Sequence, residues 1–164
     1  MEKLSQILVE MLEHESLQAR FVLAAVKDVD LTFSPYEGMR SLLDLANHLA
    51  QIPSIDLKFF SNEFKTFEEV NDWEKKLHRS DITRLLTVFD EGIQTLKEYF
   101  ENMSNKEMLE KKLKAFYEEG PEKNWAYYLP EIATHLAMHK MQLWMYLKLA
   151  GVPVSMWTYY GVPK

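Results

Sequence analysis

Two histidines spaced four apart, His135 and His139, are the residues of this chain best placed to do chemistry. On a helix each residue advances about 100°, so the two imidazoles project from one face, one turn apart. That is the spacing two ligands of a single metal ion need. It also occurs in core histidine pairs that only hydrogen-bond. Tyr128, Glu131, Gln142 and Tyr146 fall within about 40° of His135 on the same helical projection. Ile132, Leu136, Leu143 and Ala150, then Met138, Met145 and Leu149, flank this stripe, whereas Lys140 and Lys148 lie on the far side. The apolar flanks predict that the face points inward, which leaves a line of polar side chains where a core is expected. A buried polar group costs about 1–3 kcal/mol when unpaired. A bound ion or ligand is the simplest common partner for six such positions.

A third imidazole can join them. His48 lies mid-way along an earlier helical stretch, at the margin of its apolar face beside Ile52 and Ser41. Asp44, one turn before it, is placed to hold its other ring nitrogen. Three neutral imidazoles from two helices would make a three-histidine site with a coordination position open to water or substrate, as in catalytic zinc centres. Nickel, iron or manganese would suit imidazole nearly as well. The other two histidines read as solvated: His14 stands between Glu13 and Glu15, and His78 lies in the charged run Lys75–Arg79.

The elements that must position these residues are long and few, as five glycines and six prolines suggest. Leu4, Ile7, Leu8, Met11, Leu12, Ala19, Val22 and Val26 predict a first helix over Lys3–Lys27. Asp28–Gly38, with Ser34-Pro35, reads as a loop. A second helix spans Met39–Phe60, with Pro53 expected to kink or interrupt it. Asn62–Arg79 is mixed and charged and reads as an irregular connection. Ser80 is the expected N-cap of a third helix over Asp81–Met103, striped by Ile82, Leu85, Leu86, Phe89, Ile93, Leu96, Phe100 and Met103. Ser104–Asn124 suits either a helix or an extended strip, ended by Gly120-Pro121. The fourth helix runs over Tyr127–Ala150, with Gly151 as its left-handed stop and Pro153 beyond. The tail Val154–Lys164 carries Met156, Trp157, Tyr159 and Tyr160, too apolar for solvent; covering one end of the molecule and serving an interface both fit it. Four amphipathic helices cannot bury their stripes singly, so the expected fold is all-α, a four-helix bundle forming one domain over residues 1–164.

Composition narrows the function. The chain has 164 residues, 47% of them hydrophobic, and a formal charge of −6. An acidic chain without a basic run is a poor binder of phosphate backbones, so no nucleic-acid partner is expected. The absence of cysteine excludes disulfides, thiolate metal sites and a cysteine nucleophile. Met1 opens onto charged residues with no apolar signal core, and no run approaches the ~20 residues of a membrane span. The expectation is a cytoplasmic protein with no membrane partner.

The sequence resembles the DinB/YfiT-like family of small bacterial metal-binding four-helix proteins. The resemblance rests on Leu45-Ala46-Asn47-His48-Leu49-Ala50, on Trp125–Gly151 with His135-x-x-x-His139, Gln142, Tyr146-Leu147-Lys148 and Gly151, and on Val152-Pro153 with the aromatic tail. Order and spacing agree over nearly the whole chain. Where the family often has Arg-Gly-Gln, this chain has Lys140-Met141-Gln142, a departure that falls away from the site and bears on how that helix meets its neighbours. The resemblance implies one divalent metal, zinc or nickel foremost, bound by His48, His135 and His139. It implies a metal-dependent enzyme of thiol-transferase or hydrolase type acting on a small-molecule substrate. With no cysteine in the chain, any low-molecular-weight thiol must be a separate cofactor. Glu131, one turn before His135, is the candidate general base, or else an orienting carboxylate or a helix-start acid favoured by the dipole. Gln142 and Tyr146 would orient substrate, or pair within the core. The rival reading is a non-catalytic metal- or ligand-binding stress-response module, in which the aromatic tail serves a partner or homodimer.

Overall fold

The computed structural model describes residues 3–162 of the chain. Met1 and Glu2, on which the leader expectation begins, and Pro163 and Lys164, the end of the expected tail, lie outside the described residues. Seven helices occur among those residues: α1 Lys3–Ala24, α2 Leu42–Phe60, α3 Phe67–Leu77, α4 Ile82–Phe100, α5 Asn105–Glu110, α6 Trp125–Leu149 and α7 Met156–Tyr160. The fold is therefore all-helical, as expected, with three short helices besides the four long ones. The long helices pack in a ring in which α6 lies between α1 and α2, and α4 closes the other side against the same two helices. Leu12, Val22, Leu23, Leu45, Leu49, Ile52, Leu85, Phe89, Leu96, Ile132, Leu136 and Leu143 fill the centre.

Several boundaries moved for identifiable reasons. Helix α2 begins after Ser41 rather than at Met39, because the Ser41 hydroxyl accepts from the Asp44 N–H at 3.1 Å. Leu42 and Leu43 N–H groups donate back to Phe33 and Leu31, so the preceding loop satisfies two more donors of the first turn. Helix α4 is capped by Asp81 rather than Ser80, the carboxylate accepting from Arg84 N–H at 2.8 Å. Helix α6 ends as expected. Gly151, at φ +83°, donates to Lys148, and Val152 donates to Leu147, closing the paired hydrogen bonds of a Schellman stop.

Two connections differ more. Asn62–Arg79 is not irregular, since α3 occupies its centre. Thr66 and Glu69 close a capping box at its start. Only Val70 of α3 is buried, so the apolar periodicity is too sparse to announce a helix. It docks on α2 through a small apolar cluster of Ile55, Phe64 and Val70, with Phe59 and Trp73 packed against it, and through polar contacts. Gln51 donates to Glu74 carbonyl, Trp73 to Ser54 Oγ at 3.0 Å, and Asn47 both donates to and accepts from the Arg79 backbone. Ser104–Asn124 forms neither expected element along its length: α5 ends at Glu110, Phe116 and Tyr117 lie in a turn, and Leu113 and Lys123 make an isolated antiparallel bridge. The tail packs through α7 on α1 and α6, with the Tyr159 ring against Trp144 at 5.8 Å. Trp157 and Tyr160 remain more than half exposed. No helix among the described residues is long and apolar enough to cross a membrane.

Pro53 does not interrupt α2. Its ring instead faces Gly92 of α4, where a Cβ would lie 3.1 Å from Pro53 Cβ and 3.3 Å from the Ser54 nitrogen. A glycine costs a helix about 1 kcal/mol relative to alanine, and here it permits the close crossing of α2 and α4. Gly92→Val should therefore lower the unfolding free energy by about 1–3 kcal/mol in urea titrations. Exposed Gln94→Ala, two residues on, should stay within about 0.5 kcal/mol.

Candidate metal centre

The packing of α2 against α6 brings three imidazoles together. Helix α2 supplies His48; α6 supplies His135 and His139. One ring nitrogen from each lies within 4.8 Å of the others. The His48 and His139 Nε2 atoms are 3.1 Å apart. Two nitrogens on neighbouring corners of one cation's shell, at bonds of ~2.0–2.1 Å, stand about 3.0–3.4 Å apart, so this edge fits a small divalent ion. All three rings are partly buried.

Two of the nitrogens facing away from the cluster have partners of their own. His135 Nδ1 is 2.8 Å from Asp56 Oδ2, and His139 Nδ1 is 2.9 Å from Gln142 Oε1. An amide oxygen only accepts, so His139 carries its proton on Nδ1 and presents a bare lone pair at Nε2. An Asp56 carboxylate imposes the same tautomer on His135. Asp56 itself is 4% exposed. Burial pushes its carboxyl up and the bond with His135 pulls it back. A cation at Nε2 favours the carboxylate form that leaves that lone pair free.

The expected roles are redistributed accordingly. Asp44 does not back His48; its carboxylate accepts from Ser41 Oγ at 2.6 Å and serves the helix start. Gln142, expected to face substrate, instead orients His139. Tyr146 is 2% exposed and its hydroxyl has no hydrogen-bond partner among the described residues. Tyr128 is fully buried, its hydroxyl donating to Glu118 and its ring stacked 4.2 Å from Phe60. The polar stripe thus marks the edge of the buried face of α6 rather than its centre: Met138, Met145 and Leu149 on one flank are exposed, while Ile132, Leu136 and Leu143 on the other are buried. Lys140, on the far side, is only 2% exposed, because α1 covers that side. Its ammonium donates to Gln18 Oε1 at 2.6 Å and stands 2.6 Å from Glu15, a charge contact rather than an aligned hydrogen bond. His14 and His78 are exposed.

The cluster lies between two clefts. One, about 370 Å³, holds His48 with Arg40, Asp44, Gln51, Glu74 and His78. The other, about 430 Å³, holds His135 with Asp56, Glu131, Phe59, Phe67 and Tyr117. Glu131, the candidate base, therefore shares a cleft with His135. Sequence reasoning missed Asp56 and Arg40. The one acidic side chain in the run Ile52–Phe60, flanked by Ile55 and Leu57, was the available signal for Asp56.

The chain shares its fold with a crystal structure described as a "putative member of the DinB family" from Exiguobacterium sibiricum. The two are 21% identical, with a TM-score of 0.73, over 94% of this chain and 97% of that one. No family model and no curated protein matches the chain. The fold is thus DinB-like, in agreement with the resemblance read from the motifs.

Burial, with His139, Arg40 and His135 nearby, pulls His48 down to about 3, and burial lowers His139 also. Unfolded chain protonates His48 below about 6.5, while folded chain stays neutral until about 3. The stability contributed by the neutral imidazole is complete above pH ~6.5 and is lost as pH falls through that window. Metal-free protein should therefore lose up to about 1.4 kcal/mol per pH unit from this residue. Urea titrations from pH 7 to 4 should show a shallower slope in His48→Gln than in wild type. Asp56→Asn should weaken zinc binding about 10–100-fold in competition with a chromophoric chelator.

Proposed function

We propose that His48, His135 and His139 bind one divalent metal ion, zinc or nickel foremost, with iron and manganese as alternatives. We propose further that the protein is a metal-dependent enzyme acting on a small molecule, of thiol-transferase or hydrolase type. One observation carries the reading: three ring nitrogens converge while Asp56 and Gln142 hold the outer nitrogens of two of the rings, an arrangement that leaves lone pairs aimed at a common point. Three ligands leave room for water or substrate. A bound divalent ion would supply Lewis acidity, lowering the pKa of a coordinated water or thiol.

The chain's own residues divide the remaining work. Asp56 keeps the proton of His135 on Nδ1, and Gln142 does the same for His139, so neither ring can turn its N–H toward the centre. Glu131 stands in the His135 cleft and can take a proton from a substrate or nucleophile bound there. Arg40, in the opposite cleft, supplies positive charge beside His48, suited to the carboxylates of a small thiol. The thiol itself must come from outside, since the chain contains no cysteine.

The test is to load the protein with zinc or nickel, dialyse it, and assay it with a bacterial thiol and model electrophiles, beside metal-free protein. Retention of about one ion per chain and metal-dependent turnover are the expected outcome. The His135→Ala, His139→Ala double variant should retain no ion. Undiminished retention in that variant would refute the site; retention without turnover would leave a binding module and refute the enzyme.

A further inference from the structure

The two clefts flanking the histidine cluster differ in charge and in wall. The His48 side is of mixed charge, with Arg40 and Lys75 beside Asp44 and Glu74 in its lining. The His135 side carries no lysine or arginine in its lining, and its acidic groups are Asp56, Glu118 and Glu131. Of these, Asp56 bonds His135, and Glu118 accepts from Lys123, Tyr128 and the Ala115 N–H. Glu131 is exposed and forms no ion pair among the described residues. The negative potential reaches the rim. The Tyr117 phenol is pushed up to about 12 by burial and by Asp56, Glu118 and Glu131, against Lys123.

The walls are aromatic. Phe59 and Tyr117 meet edge to face at 5.0 Å, and Phe67 lies 6.3 Å from Tyr117 with the rings tilted by only 26°. Phe67 is 63% exposed and Tyr117 45% exposed, although both sit in an aromatic cluster. Large rings left open around an unpaired carboxylate are the elements from which proteins build sites for organic cations: the ring faces attract the cation, and the carboxylate supplies the net charge. At about 430 Å³ the cleft is of small-molecule size.

We propose that the His135-side cleft binds a small organic cation, an ammonium-bearing molecule with an aromatic or apolar body. Its charge lies toward Glu131, and its body lies against Phe59, Phe67 and Tyr117. As the identity of a substrate this rests on the metal-centre reading; as a binding site it does not, because neither the rings nor Glu131 is among the proposed ligands.

The full chain, freed of metal with a chelator, would be titrated by NMR with benzyltrimethylammonium, benzyl alcohol and benzoate, which share a ring and differ in charge. The cation should bind at least tenfold more tightly than either, shifting the Thr134 and Met138 signals. Glu131→Gln should reduce that preference to threefold or less. Phe67→Ala should weaken all binding several-fold while keeping the order. Both positions are exposed, and circular dichroism melting of each variant checks that it folds. Equal or tighter binding of benzoate, an undiminished preference in Glu131→Gln, or shifts confined to the Arg40 side would overturn the proposal. Zinc retained with no cation preference overturns this inference alone; cation preference without zinc retention overturns the metal reading and leaves this one standing.

Discussion

A carboxylate with almost no solvent contact, Asp56 on α2, faces an imidazole on α6, and much else in the molecule depends on that pair. An isolated buried charge is too costly to persist, so Asp56 must keep His135 beside it or give up its ionised form. The hydrogen bond therefore fixes the register of α2 against α6. With that register set, His48, two turns before Asp56 on α2, stands opposite His139, one turn after His135 on α6. The same bond decides which nitrogen of His135 carries the proton. Packing and chemistry are thus settled by one contact: the helix pair cannot slide without separating the cluster.

Helix α2 does a second job with its other polar residues. Asn47, Gln51 and Ser54 hold α3 and the Arg79 backbone with amides and a hydroxyl, beside the small apolar cluster of Ile55 and Val70. The two faces of α2 therefore lead to different surroundings. Toward α3 the cleft is polar and of mixed charge. Toward the 111–124 segment it is walled by Phe59, Phe67 and Tyr117 and is acidic. The histidine cluster thus stands between two unlike clefts, and the helix that supplies His48 and Asp56 shapes both.

The legible parts of the sequence were those governed by long apolar periodicity. The four stripes gave the long helices to within a few residues, the i, i+4 spacing gave His135 and His139, and His48 followed from its place mid-way along the second helix together with the family resemblance. Helix α3 was not legible because it buries a single valine and is held by side-chain amides, which leave no periodic trace. Asp56 escaped because its partner is distant in sequence and no local pattern links them. Lys140 was assigned to the far side correctly, but that side is not solvent: α6 lies between α1 and α2, and a helix buried on two sides has no free face on which to read amphipathicity. Charge alone could not show that Glu15 and Gln18 await it on α1.

Those contacts give α6 polar anchors on opposite sides. Asp56 holds it through His135, while Gln18 and Glu15 hold it through Lys140. A helix tethered on one side only can roll about its axis and carry its side chains around with it. Here rolling in either sense must tear a buried polar contact on one side or the other. The azimuth of the helix is clamped, and with it the direction in which His135 and His139 point toward α2.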